Sequence, residues 1–105
     1  MVGKAVNLKI TVLRRFAPEE VFDKKPIGYE KLEACDVYTD GQEFIVDDDG
    51  LMPEGFCVWA WDDIYKDIMT LRYNGDFDWF TEKGASVNCC TDGLRPVVFR
   101  IERLK

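Results

Sequence analysis

The stretch from Val6 to Val12 alternates, with apolar Val6, Leu8, Ile10 and Val12 separated by Asn7, Lys9 and Thr11. A period of two predicts a strand with one buried face. Ala17 to Phe22 reads as a short helical turn, because proline suits a first helical position and Glu19 and Glu20 suit the first turn. Pro26 and Gly28 then end it. Asp40-Gly41 marks a turn into a second strand over Gln42 to Val46, and Asp47-Asp48-Asp49-Gly50 is a polar loop.

The clearest helical spacing lies between Phe56 and Tyr73, where Trp61, Ile64, Ile68 and Leu71 fall on one face. Asn74-Gly75 is a good stop after Arg72. Two starts are open. Asp62 can be the N-cap, with Phe56 to Trp61 extended, or the helix can begin near Pro53-Glu54. In a helix Cys57 and Trp61 share a face; in a strand Cys57, Trp59 and Trp61 do.

An aromatic loop with Phe77, Trp79 and Phe80 precedes Ala85 to Cys90. Thr91-Asp92-Gly93-Leu94 follows, and then a strand in which Val97, Phe99 and Ile101 alternate with Val98, Arg100 and Glu102. Asp92-Gly93 between two strand-like runs predicts a two-residue hairpin turn, with Gly93 at positive φ. On the strand before it, Cys89 falls with Ala85 and Val87 on the apolar side. Cys90 falls with Ser86 and Asn88, which makes it the accessible member of the pair.

These elements predict a single α+β domain over residues 1–105. It has a small antiparallel sheet of about four strands, with the Trp61 helix packed on one face. The length supports this, since 105 residues suffice for one domain with a sizeable core and not for two. Hydrophobic residues make up 47% of the chain, too many for disorder. The net charge of -6 argues against nucleic acid, which is bound through an excess of Lys and Arg, and against an anionic membrane surface. No signal-peptide pattern or long apolar run is present, so a cytoplasmic location with reduced thiols is expected.

The chain has no histidine, which excludes Ser-His-Asp and Cys-His catalysis and His-based zinc sites. The remaining chemistry centres on Cys35, Cys57, Cys89 and Cys90. None forms the two-to-four-residue pair of a zinc knuckle. Read plainly, they are small core residues, and Cys89 above all. Read functionally, they hold a thiolate-bound metal, with Cys57 and Cys90 first, Cys35 third and Cys89 last, or one acts as a nucleophile. Cys89 to Arg95 has the C-x5-R spacing of a phosphate loop, but Pro96 and a strand follow where that loop needs a helix. The three aspartates before Gly50 lack the ligand order of a calcium loop and form a turn. The aromatic density around Trp59 and Trp61 is core packing or one wall of a pocket for a planar ligand, with Arg95 as its polar contact.

Pro53-Glu54-Gly55-Phe56-Cys57, Trp59-Ala60-Trp61 with Asp63-Ile64, and Cys89 through Val97 resemble the motifs of an uncharacterised family of small cysteine-containing proteins from mostly anaerobic bacteria and archaea. Cys35 ahead of Gly41-Gln42-Glu43-Phe44 and the opening Ile10 to Leu13 fit as well. The likeness covers nearly the whole chain. Asp36 departs from it, where the family pattern has proline. The resemblance implies no particular activity; an anaerobic setting suits exposed thiols or an oxygen-sensitive metal centre. Three functional classes therefore stand open: a binding module for a metal or small ligand near the cysteines, a thiol-dependent redox enzyme, and an interaction domain with structural thiols.

Overall fold

The computed structural model describes residues 5–24, 26, 28 and 33–104. Its elements are β1 (Leu8–Arg15), α1 (Pro18–Val21), β2 (Glu43–Val46), α2 (Val58–Arg72), β3 (Ala85–Cys89) and β4 (Val97–Arg103). The four strands form one antiparallel sheet in the order β2-β1-β4-β3. The two strands farthest apart in sequence, β1 and β4, are thus its central pair. Among the described residues no helix is long and apolar enough to cross a membrane.

The alternation read from the sequence sets the buried face. Leu8, Ile10 and Val12 on β1, Val46 on β2 and Phe99 and Ile101 on β4 are inaccessible to solvent, and α2 covers them with Ile64, Ile68 and Leu71. β1 changes register between Val12 and Arg14, a bulge that leaves Leu13 unpaired and exposed. The outer face of the sheet is charged, with Lys9 between Glu43 and Glu102. Polar side chains on that face keep it hydrated, so one layer of helix suffices to cover the sheet.

α2 starts between the two expected points. Cys57 is its N-cap, so Asp62 lies inside the helix and Pro53-Glu54 lies before it. Pro53 to Phe56 instead make a turn, closed by the Phe56 N–H on the Pro53 carbonyl at 3.2 Å. The far end stops where the sequence predicts, in a Schellman motif. The Gly75 N–H reaches the Thr70 carbonyl, the Asn74 N–H reaches the Leu71 carbonyl, and Asn74 takes φ 67°. Asparagine is, after glycine, the residue that best tolerates this conformation.

Two expectations about β3 are corrected. The hairpin to β4 exists, but seven residues, Cys90 to Pro96, separate the strands, and Gly93 is not at positive φ. The Asp92 carboxylate shapes the loop instead, accepting the Leu94 and Arg95 N–H groups at 3.0 and 3.1 Å. The facing is also reversed. Ser86 and Asn88 stand opposite Ile101 and Phe99 on the covered side, while Val87 and Cys89 point outward. The reason is buried Asp67 of α2, which accepts hydrogen bonds from Ser86 Oγ (2.8 Å) and Asn88 Nδ2 (3.2 Å). A satisfied polar cluster takes the place of apolar packing under this edge strand.

Candidate functional site

The N-terminus of α2, the segment from Cys35 to Tyr38 and the β3–β4 loop meet around a cavity of about 500 Å3. Its lining is mostly apolar, from Val37, Tyr38, Ala60, Leu94 and Val97. Cys35, Cys57 and Cys90 add three thiols, Trp59 adds an indole, and Thr91, Asp92 and Arg95 of the β3–β4 loop add polar and charged groups. Ligand cavities have this size and character, an apolar surface with few polar groups.

Each wall is fixed by identifiable bonds. Arg15 Nη1 donates to the Cys35 carbonyl at 3.0 Å while its Nε binds Asp40 Oδ1, which ties the Cys35 segment to the end of β1. Asp63 on α2 accepts the Thr91 N–H at 2.7 Å and the Thr91 hydroxyl at 3.1 Å. Thr91 Oγ1 in turn accepts the indole N–H of Trp59 at 2.9 Å. The first turn of α2 and the start of the β3–β4 loop are therefore clamped together, and the Trp59 ring is held although it is 66% exposed.

Tyr38 is the buried centre of this region. Its ring packs edge-on to Phe44, Phe56 and Phe99, with centroids 5.3 to 5.8 Å away. Its hydroxyl oxygen accepts the Cys57 N–H at 3.0 Å, satisfying one of the donors at the head of α2. Burial pushes the hydroxyl pKa well up, partly offset by that N–H, and the nearby Cys57, Cys35 and Cys90 thiols add to the rise. Tyr38 is therefore a neutral hydrogen-bond donor throughout the physiological range.

Cys90 is the most elaborately held thiol. Burial pushes its pKa up, against the Asp92 and Val97 N–H groups that point at the sulfur. The Val97 N–H lies 3.3 Å from Sγ. Cys90 is consequently a protonated thiol with two backbone donors already in place.

Of the seven residues singled out in the sequence, Cys35, Cys57, Cys90, Trp59 and Arg95 line this one cavity, although they come from three separate parts of the chain. Cys89 does not. It is exposed on the outward side of β3, so the expectation that it is core, with Cys90 the accessible one, is reversed. Trp61 also turns away, packing on Phe56 and Tyr65 with centroids 6.1 and 5.7 Å apart. Tyr38, Asp63 and Thr91 are additions that the sequence did not signal. Tyr38 lies in a segment without periodicity, and the Asp63–Thr91 bond joins elements whose proximity only the fold establishes.

Among the described residues no group of three or more Cys, Asp or Glu side chains is placed to hold an ion. A larger depression of about 680 Å3 lies near Val6, Asn74 and Gly84. Its Arg103 is already committed to Asp76 and to the carbonyls of Leu71 and Gly75. No family model, curated protein or solved structure matches the chain.

Proposed function

We propose that this protein is a small-ligand binding module and that its site is the cavity between Cys35, Cys57, Cys90, Trp59 and Arg95. The supporting observation is convergence. Three of the four cysteines, an aromatic side chain and a cation come from separate segments to line one mostly apolar cavity. The same three thiols pack against the hydrophobic core from the cavity side, so each is partly buried and partly open to an occupant. The metal form of this reading has no ligand set behind it. An organic ligand that contacts the thiols is the form the geometry supports.

Cys89 supplies an internal control, since it neighbours Cys90 in sequence but faces the opposite side of the sheet. In native, reduced protein probed with a small alkylating agent and mapped by mass spectrometry, Cys89 should label first. Small apolar fragments that bind should slow the labelling of Cys35, Cys57 and Cys90 and leave Cys89 unchanged. Binders that protect none of the three, or that protect Cys89 equally, would defeat the proposal.

A further inference from the structure

Taking the cavity to be the binding site, as proposed above, its polar groups narrow the ligand to one chemical class. We infer that it takes a planar aromatic carboxylate that carries a second hydrogen-bond acceptor on its ring system. Three features of the wall carry this. The first is Trp59. A large apolar side chain 66% exposed at a cavity mouth has an unfavourable hydration cost, yet this one is tethered by its indole N–H to Thr91. The tether uses the ring edge and leaves the faces open, which suits stacking of another flat ring.

The second is Tyr38. Its hydroxyl oxygen accepts the Cys57 N–H, but no acceptor for its own proton is found among the described residues. The residue is 2% exposed and lines the cavity. Buried donors nearly always have partners, so a donor without one at a cavity wall points to an acceptor on the occupant. The raised pKa keeps this proton in place at any ordinary pH.

The third is Arg95. Its Nε stands 3.7 Å from Asp92 Oδ2, beyond hydrogen-bond length, while Asp92 Oδ1 is occupied by two backbone N–H groups of its own loop. The guanidinium is ion-paired with Asp92 through Nε alone, and no partner for its Nη groups is found among the described residues. A carboxylate is the anion whose planar geometry the guanidinium fork matches. A flat acid of two fused rings is within what a cavity of about 500 Å3 accommodates.

Three isosteric probes separate these features: quinoline-6-carboxylate, its neutral carboxamide, and 2-naphthoate, which lacks the ring nitrogen. Binding is followed by calorimetry, and the site is located by amide chemical-shift changes. Quinoline-6-carboxylate should bind at least about tenfold tighter than the carboxamide, with shifts centred on the Cys90 to Arg95 loop and the head of α2. Arg95→Gln should abolish that ratio. Tyr38→Phe should abolish the preference for quinoline-6-carboxylate over 2-naphthoate. Should Tyr38→Phe fail to fold, the wild-type ratio of those two probes still tests the acceptor. Trp59→Leu should weaken all three alike. If acid and amide bind equally well at the cavity, the carboxylate inference fails and the binding-module reading survives. If none of the probes shifts a cavity residue at millimolar concentration, both fail.

Discussion

Cys90 shows how one side chain reads out its surroundings. Its pKa is raised because burial penalises the thiolate more than the Asp92 and Val97 N–H groups favour it. An unfolded chain ionises the same thiol at about pH 8.5. The folded state therefore holds a proton that the unfolded state has already lost. The resulting stability is fully present below the ordinary thiol pKa and disappears as pH rises through the raised one. Denaturant midpoints measured from about pH 8 upward should fall, and Cys90→Ala should flatten the first part of that fall. Tyr38, whose pKa is also raised by burial, adds a later decline that begins near the ordinary phenol value of about 10. Identical alkaline profiles for wild type and Cys90→Ala would contradict the burial of this sulfur.

Among the elements, the two glycines that follow α2 and β3 behave oppositely. A Cβ on Gly75 would lie 2.8 Å from Thr70 Cγ2 and 2.9 Å from the Thr70 carbonyl oxygen, inside the Schellman turn. The backbone oxygen cannot step aside, so Gly75→Ala should cost on the order of 1–3 kcal/mol, as overpacking does. A Cβ on Gly93 would meet nothing within 4 Å, and φ there is not positive. Gly93→Ala should therefore stay within about 0.5 kcal/mol of wild type in chemical denaturation. This pair also marks how far the sequence could be read. The Asn74-Gly75 stop was legible because its cause is local. The Asp92-Gly93 pair suggested a tight hairpin, but the Asp92 carboxylate caps Leu94 and Arg95 and widens the connection. The facing of β3 was illegible for a different reason. Ser86 and Asn88 look like solvent-side residues until Asp67, on another element, is known to lie over them. Periodicity located both central strands and α2; it could not bring Tyr38 to Cys57, because that contact depends on how the elements pack.

For the whole molecule, the sheet order decides how folding must proceed. The central pairing joins Leu8 to Arg103 and Arg15 to Val97, so the largest ladder closes nearly the full length of the described chain. Long-range pairing of this kind loses chain entropy before its contacts form. Refolding from denaturant should accordingly run in about the millisecond-to-second range, as for other sheets dominated by distant contacts. Stopped-flow tryptophan fluorescence measures this, and complete recovery within microseconds would rule out the β1–β4 closure as the limiting step. The cavity lies at the junction of α2, the Cys35 segment and the β3–β4 loop, so it should form only when the sheet is complete.

Inside a cell, that sheet order becomes a matter of timing during synthesis. β1 is made before both of its neighbours, and β2, the first of them to follow, can cover only one of its edges. At about 5–20 residues per second, its other neighbour, β4, is not made until roughly 5–20 s later. Through that interval the other edge of β1 stays unpaired even once α2 can cover its apolar face, and an open edge is the kind of surface that recruits chaperones or aggregates. That edge closes only once β4 is made through Arg103, and slower elongation lengthens its exposure.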